Sequence, residues 1–187
     1  MLTDSAKERL EKAARDFKNG NQQAFDVIFD LAADAVFRIC RYISGSFHEA
    51  EDLMQEVFIR VYSSLPDFRE DSSFFTWLYA IARNTSLNYV RKQSGRETML
   101  VDHDTFPEPE VAEASDKSNK NEELNLMRSC IQELQPMFRS IILLKDIEGL
   151  SYEDIARIES IPIGTVRSRL NRGRTILKEI FFRKRGT

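Results

Sequence analysis

Hydrophobic residues recur along most of this 187-residue chain at steps of three and four, the spacing that lines one face of an α-helix, and no stretch shows the every-second-residue alternation of a half-buried strand. Residues 4–18 form the first predicted helix, with Ala6, Leu10, Ala13 or Ala14, and Phe17 in phase, and Asn19-Gly20-Asn21 breaks it. A second runs over about 22–44 on a stripe of Phe25, Ile28, Phe29, Ala32, Val36, Ile39, Cys40 and Ile43, and stops at Gly45. The third, about 48–64, buries Leu53, Met54, Val57, Phe58, Val61 and Tyr62; Asp52, Gln55, Glu56, Ile59 and Ser63 lie opposite. A loop through Leu65-Pro66 and 69–73 leads to a long helix at 74–92 with Phe74, Leu78, Ile81 and Thr85 inward.

Apolar periodicity then fails from about 95 to 121, where Pro107 and Pro109 sit in a polar, acidic run of linker composition. It resumes at 122–134 with Leu124, Met127, Ile131 and Leu134 inward. Gln135-Pro136 opens a further helix that buries Phe138, Ile141, Ile142 and Leu144 and ends at Gly149. Ser151, with Asp154 three residues on, reads as a helix cap, and Tyr152, Ile155, Ala156 and Ile158 supply the next short helix. Pro162 interrupts it. A last helix starts near 163–165, with Val166, Leu170, Gly173, Leu177 and Ile180 on its buried stripe. The expected fold is all-α: two small helical domains joined by a flexible acidic linker, with boundaries at 1–95, 96–121 and 122–187, the C-terminal one containing a helix-turn-helix.

Charge sharpens this picture because it is segregated. The net charge is only −3, yet 163–187 carries eight Lys/Arg and one acid, and 83–96 carries four basic residues and no acid. By contrast 45–71 holds seven acids against two arginines, and 97–124 holds nine acids against two lysines. Two kinds of partner are implied, one anionic and one cationic. The final helix sets Thr165, Ser168, Asn171, Arg172 and Thr175 opposite its buried stripe, flanked by Arg167 and Arg169, and these are the residue types that reach phosphates and base edges in the major groove. In the 74–92 helix, Trp77, Asn84, Asn88 and Arg91 line one flank, mixing a stacking surface, two amides and a cation, a set suited to splayed or single-stranded bases.

Catalysis has little footing here. Neither His48 nor His103 sits near paired carboxylates, no glycine-rich phosphate loop occurs, and no serine or cysteine has a partner base in a recognisable motif. Cys40 and Cys130 lie singly in helical patterns, so reduced structural thiols are expected, with no metal site and no cofactor. No apolar run is long enough to span a bilayer and no signal-peptide pattern opens the chain, so a cytoplasmic protein without direct membrane insertion is expected. A dimeric helix-turn-helix repressor and a helical module that binds protein without reading DNA are the rival classes; residues 1–95 show only helices, against the alternating strands of a receiver domain.

The segment IPIGTVRSRLNRGR closely resembles the recognition helix of bacterial sigma factors of the sigma-70 family, in the small extracytoplasmic function (ECF) group, and LKDIEGLSYEDIA resembles its lead-in. EAEDLMQEVFIRVY resembles the segment that grips the clamp helices of core RNA polymerase, and FFTWLYAIARNTSLNYVRK the segment that melts and reads the −10 promoter element, including a preceding loop that receives a flipped base. The resemblance implies a promoter-recognition subunit that binds core polymerase and promoter DNA. Core contacts would fall at Asp52, Gln55, Glu56 and Ile59; −10 contacts at Trp77, Asn84, Asn88 and Arg91, with Arg83 and Lys92 on phosphates. Base contacts at −35 would come from Arg167, Ser168, Asn171 and Arg172, and backbone contacts from Thr165, Arg169 and Arg174. Many family members carry an acid where Asn88 stands. The resemblance further implies a linker that threads through the polymerase and an anti-sigma factor, often membrane-bound, that holds the protein inactive.

Overall fold

A computed structural model describes residues 3–93 and 119–186, and the described residues form eight α-helices and no strand. Helix α1 (Asp4–Lys18) is capped by the Thr3 hydroxyl, which accepts the Ala6 N–H at 3.2 Å, and buries Leu10, Ala13, Ala14 and Phe17. Helix α2 (Ala24–Ser44) buries eight residues from Ala24 to Ile43 and ends where Gly45, at φ +87°, turns left-handed and donates its N–H to the Arg41 carbonyl. Helix α3 (Phe47–Ser64) is capped by Ser46, and a short 3₁₀ turn (Leu65–Asp67) carries the chain into the loop before α4 (Phe74–Gln93). Glu11 of α1 receives the otherwise unpaired Phe74 N–H at 2.7 Å, which ties the start of α4 to the first helix. Helix α2 packs against α1, α3 and α4, and so forms the spine of the N-terminal bundle. Each fully buried Leu or Ile on these seams contributes about 1.5–3 kcal/mol.

The C-terminal bundle comprises α5 (Asn119–Gln132), α6 (Pro136–Ile142), a π-helical turn (Leu143–Ile147), α7 (Tyr152–Glu159) and α8 (Ile163–Arg185). Helix α8 lies across α5, α6 and α7. Its approach to α6 depends on Gly173: a Cβ there would stand 3.2 Å from Ile142 Cδ1 and 3.3 Å from Phe138 Cβ, so the two helices meet closer than side chains allow.

Several buried stripes are narrower than periodicity predicts. Phe29 and Tyr62 are 42% and 43% exposed rather than buried, because they sit at the outer edge of an aromatic row through Phe25 and Phe58. Leu124 and Met127 are 55% and 37% exposed: among the described side chains of α5 only Cys130 and Ile131, at its C-terminal end, are buried, followed by Leu134. Helix α5 starts at Asn119, within the expected linker, whose residues 96–118 lie outside the described residues.

A larger departure is that the two bundles touch. Helix α4 packs on α7 and α2 on α6, and the buried apolar residues of both bundles form one continuous cluster. Carboxylates and guanidinium groups sit inside this contact. Glu148, whose side chain is fully buried, accepts Arg38 Nε at 2.7 Å and Nη2 at 3.2 Å, together with the Tyr79 hydroxyl at 3.0 Å. Glu159, equally buried, pairs with Arg83 Nη2 and accepts the Ser140 hydroxyl. Arg139 Nη1 donates across the contact to the Ile43 carbonyl at 3.3 Å, and Thr76 donates to Asp154 at 3.3 Å. Burial, reinforced by the neighbouring Glu148 carboxylate, pushes the Tyr79 phenol far above its usual range and keeps it a neutral donor. Burial also lowers the Arg139 guanidinium to about 10.

Candidate nucleic-acid interface

The helix-turn-helix is built from three local devices. Ser151 Oγ accepts the Asp154 N–H at 3.0 Å, and its own hydroxyl donates to the Asp154 carboxylate at 2.6 Å, which starts α7. Ser160, at φ +54°, ends α7 in a left-handed cap, with its N–H on the Arg157 carbonyl and the Ile161 N–H on that of Ala156. Pro162 then starts α8, its carbonyl accepting the Thr165 and Val166 N–H groups. Over 23 residues α8 buries only Val166, Leu170, Gly173 and Ile180. A narrow apolar seam thus leaves most of the helix to solvent.

On that solvent side Arg167, Ser168, Asn171, Arg172 and Arg174 are exposed, and Thr165 and Arg169 are half-buried. Several are held in place rather than free. The Arg167 guanidinium lies 5.5 Å from the centroid of the Tyr152 ring, which also carries Lys145 at 4.6 Å. Arg174 grips Asp146 with both arms of its fork, Nε at 3.0 Å, and Arg172 lies 5.9 Å from the Phe138 ring. Ser168 donates its hydroxyl to the Thr165 carbonyl at 3.0 Å, leaving its oxygen lone pairs outward as acceptors. All seven residues expected at −35 therefore lie on α8 outside its buried seam, five of them exposed and two half-buried.

The expected −10 residues divide. Asn84, Asn88, Arg91 and Lys92 are exposed along α4. Trp77 is half-buried, its ring 4.9 Å from Phe68 and 5.7 Å from Phe74, so one face packs on the loop and the first turn of the helix. Arg83 leaves the group: six positions past Trp77, it lies about 120° round the helix and enters the contact between bundles. There it pairs with Glu159 and donates Nη1 to Asn84 Oδ1 at 2.8 Å. Its Nε is buried with no hydrogen-bond partner, a state that costs about 1–3 kcal/mol for such a donor.

Beside Asn84 a cleft of about 300 Å³ opens between α3 and α4, lined by Arg60, Ser63, Ser64, Ile81, Asn84 and Thr85. Periodicity did not single out Arg60 or Ser64, and Ser63 stood only as a polar residue on the outer face of α3. Their placement beside Asn84 depends on how two helices cross, which spacing within either helix does not encode. On the outer face of α3, Asp52, Gln55, Glu56 and Ile59 are all exposed, Ile59 by 69%, and Glu56 accepts Arg60 Nε at 3.0 Å. The expected core contacts thus lie together, Asp52, Gln55 and Glu56 around the bare Ile59.

Two sequence-family models match the chain: Sigma-70 region 2 over residues 28–96 and Sigma-70, region 4 over residues 124–177. The ECF RNA polymerase sigma factor SigW of Bacillus subtilis is 34% identical over 185 residues, covering 91% of this chain and 95% of that protein. The chain belongs to the ECF group of the sigma-70 family. Another relative, the ECF RNA polymerase sigma-E factor of Escherichia coli, is 36% identical over 93% of this chain and 92% of its own length. Among solved structures, CnrH, captured with the cytosolic domain of CnrY, shares the fold, with a TM-score of 0.65 at 22% identity, over 95% of this chain and 97% of CnrH. The region 2 match takes in most of α2 and all of α3 and α4, and the region 4 match reaches from α5 to Leu177 in α8. Members of the family are transcription initiation factors rather than enzymes. No helix among the described residues is long and apolar enough to cross a membrane.

Proposed function

We propose that this sigma factor works as three functional segments: residues 1–95 dock on core polymerase and open the −10 element, 96–121 connect, and 122–187 hold the −35 duplex. The observation that carries this reading is the adjacency on α3 and α4, where an exposed acidic face with Ile59 at its centre lies on the same hairpin as a cleft bordered by Asn84. Asp52, Gln55, Glu56 and Ile59 meet a cationic helical surface of the polymerase. A base turned out of the stack enters the cleft against Asn84, Ser63 and Ser64; Asn88 and Arg91 follow the next nucleotides and Lys92 takes a phosphate. Trp77 backs the cleft-side loop through Phe68. Arg83 contributes a phosphate contact only when it has left Glu159.

On the other bundle Arg167, Ser168, Asn171 and Arg172 read base edges, while Thr165, Arg169 and Arg174 hold the backbone. Binding energy and geometry do this work without a cofactor. Family membership supports a cytoplasmic setting and control by an anti-sigma protein. Run-off transcription with purified chain and bacterial core polymerase, on a library of promoter fragments, tests the proposal. Core-dependent starts that share two sequence elements are the expected result. Duplex binding that ignores core and starts no transcript would turn the reading toward a repressor.

A further inference from the structure

We infer that α1 sets the −10 preference of this sigma factor through the loop it holds: Glu11 and Lys18 are positioning residues that fix 68–74, the stretch joining the cleft wall to α4, in the shape that receives a base. This role rests on the proposed part of α4 and its cleft in opening the −10 element. It falls to a helix that precedes the residues matched by the region 2 model.

An apolar seam of Leu10, Ala13, Ala14 and Phe17 seats α1 in the bundle. Beside that seam Lys7, Glu11 and Lys18 fall within about 40° of one another around the helix, and all three act on the same short stretch of chain. The Lys7 ammonium lies 5.4 Å from the Phe75 ring centroid, and Glu11 accepts the Phe74 N–H at 2.7 Å. Lys18 Nζ donates to the Phe68 carbonyl at 2.8 Å and to Glu70 Oε1 at 2.6 Å, and lies 5.8 Å from the Phe68 ring. Ordering a lysine and a glutamate against one loop costs rotamer freedom that seating a helix on its apolar seam does not require.

The loop they hold is strained. Among the described residues only Glu70, at φ +61°, and Ser160, at φ +54°, combine a Cβ with a left-handed backbone. Both stand just ahead of a helix proposed to read DNA, α4 for Glu70 and α8 for Ser160. A residue with a Cβ keeps such a conformation where its surroundings hold it there. Ser160 has the hydrogen bonds of its own turn; Glu70 is gripped by a side chain 52 residues earlier.

The grip reaches the cleft from both sides. Ser64, in the cleft wall, runs directly into the 3₁₀ turn that ends with the Phe68 N–H on the Leu65 carbonyl at 3.1 Å. Across the loop, Phe68 packs on Trp77 at 4.9 Å, and Trp77 stands one turn of α4 before the cleft residue Ile81. The loop exposes Arg69 and Asp71, a donor fork and an acceptor pair for a base edge. Fixing these groups beforehand removes the ordering cost of capture. If the released loop holds its receptive shape about a tenth of the time, apparent affinity for the captured base falls about tenfold. Bases that are not captured lose nothing, so discrimination falls with it.

The experiment uses the full chain with bacterial core polymerase on promoters randomised through both elements, comparing wild type with Lys18→Met, which keeps the stem and drops the ammonium, and Lys18→Arg, which keeps the cation. Hydrogen exchange read by mass spectrometry follows the 68–74 amides of each chain alone. Lys18→Met should lower the preference for the favoured base at one −10 position about tenfold, leave the −35 preference unchanged, and speed exchange at 68–74 but not in α2 or α3. Lys18→Arg should restore most of both. Glu11→Ala should shift both readouts the same way by less, and Glu11→Gln, which keeps an acceptor, should match wild type. Should Lys18→Met speed exchange throughout the bundle, Glu70→Ala breaks the same pair from the exposed side and repeats the comparison. Unchanged exchange at 68–74 would overturn the grip, and faster exchange with an unchanged −10 preference would overturn the positioning role. Absence of core-dependent transcripts from wild type would instead overturn the reading of α4 itself, with the exchange result still deciding whether α1 holds the loop.

Discussion

Helices α4 and α8 are both long, and both carry the residues proposed to meet DNA, yet they are built on opposite plans. Helix α8 buries four of 23 residues and hangs its side chains outward from a thin seam. Helix α4 buries nine of 20 and is gripped by α1, α2, α3 and α7, so its reading stripe is confined to one narrow arc. A duplex major groove accepts a whole helix and rewards a bare one. Bases leaving a stack need a wall and a cleft, which only a packed helix provides. The same crowding gives α4 a second allegiance, since the arc next to the stripe belongs to the opposite bundle.

The largest expected effect that separates the two plans comes from hollowing each seam. Leu78→Ala, in α4, should cost about 4 kcal/mol and Leu170→Ala, in α8, about 3 kcal/mol, since both are fully buried but α4 is held by four helices and α8 by three, so the α4 site collapses less. Chemical denaturation followed by circular dichroism measures both, and equal losses would erase the distinction. Next in size, Arg172→Ala should remove about 1–3 kcal/mol of discrimination at one −35 position and leave the −10 preference unchanged, as read by start-site sequencing on a randomised promoter library. Asn84→Ala should do the reverse. A smaller change is expected for Arg169→Ala, which should weaken all duplexes alike and reduce the slope of log affinity against log salt by about 0.9; a base-selective loss would move Arg169 among the reading residues. Smallest is Ser160→Gly at the left-handed turn before α8, which should raise stability by about 0.5–1 kcal/mol by relieving a non-glycine residue at φ +54°. A fall in stability would show that the Ser160 side chain supports the turn.

Spacing alone disclosed α8 well, because a helix with one partner seam and one free face obeys a single period. The cap at Ser151, the break at Pro162 and the Val166-Leu170-Gly173 stripe all appear where 3.6-residue geometry puts them. Helix α4 was legible as a helix, and Asn84, Asn88 and Arg91 as a stripe, but the destination of Arg83 was not. Its partner Glu159 lies 76 residues away in the chain, and Arg38 finds Glu148 110 residues away. Nothing local distinguishes a carboxylate that will be buried opposite an arginine from one that will face water. The cleft of Arg60, Ser63 and Ser64 was hidden for the same reason, and Leu124 and Met127 were misassigned because period reports a face without saying how far a neighbour extends along it.

The seat of Trp77 has a practical consequence. It is the only indole in the chain, and it rests against Phe68 and Phe74, where the loop after the 3₁₀ turn meets the helix proposed to take up bases. Indole emission from this protein therefore comes from a single address. Strand separation at that corner is open to being timed by intrinsic fluorescence in a stopped-flow cell, with no dye attached and no residue replaced.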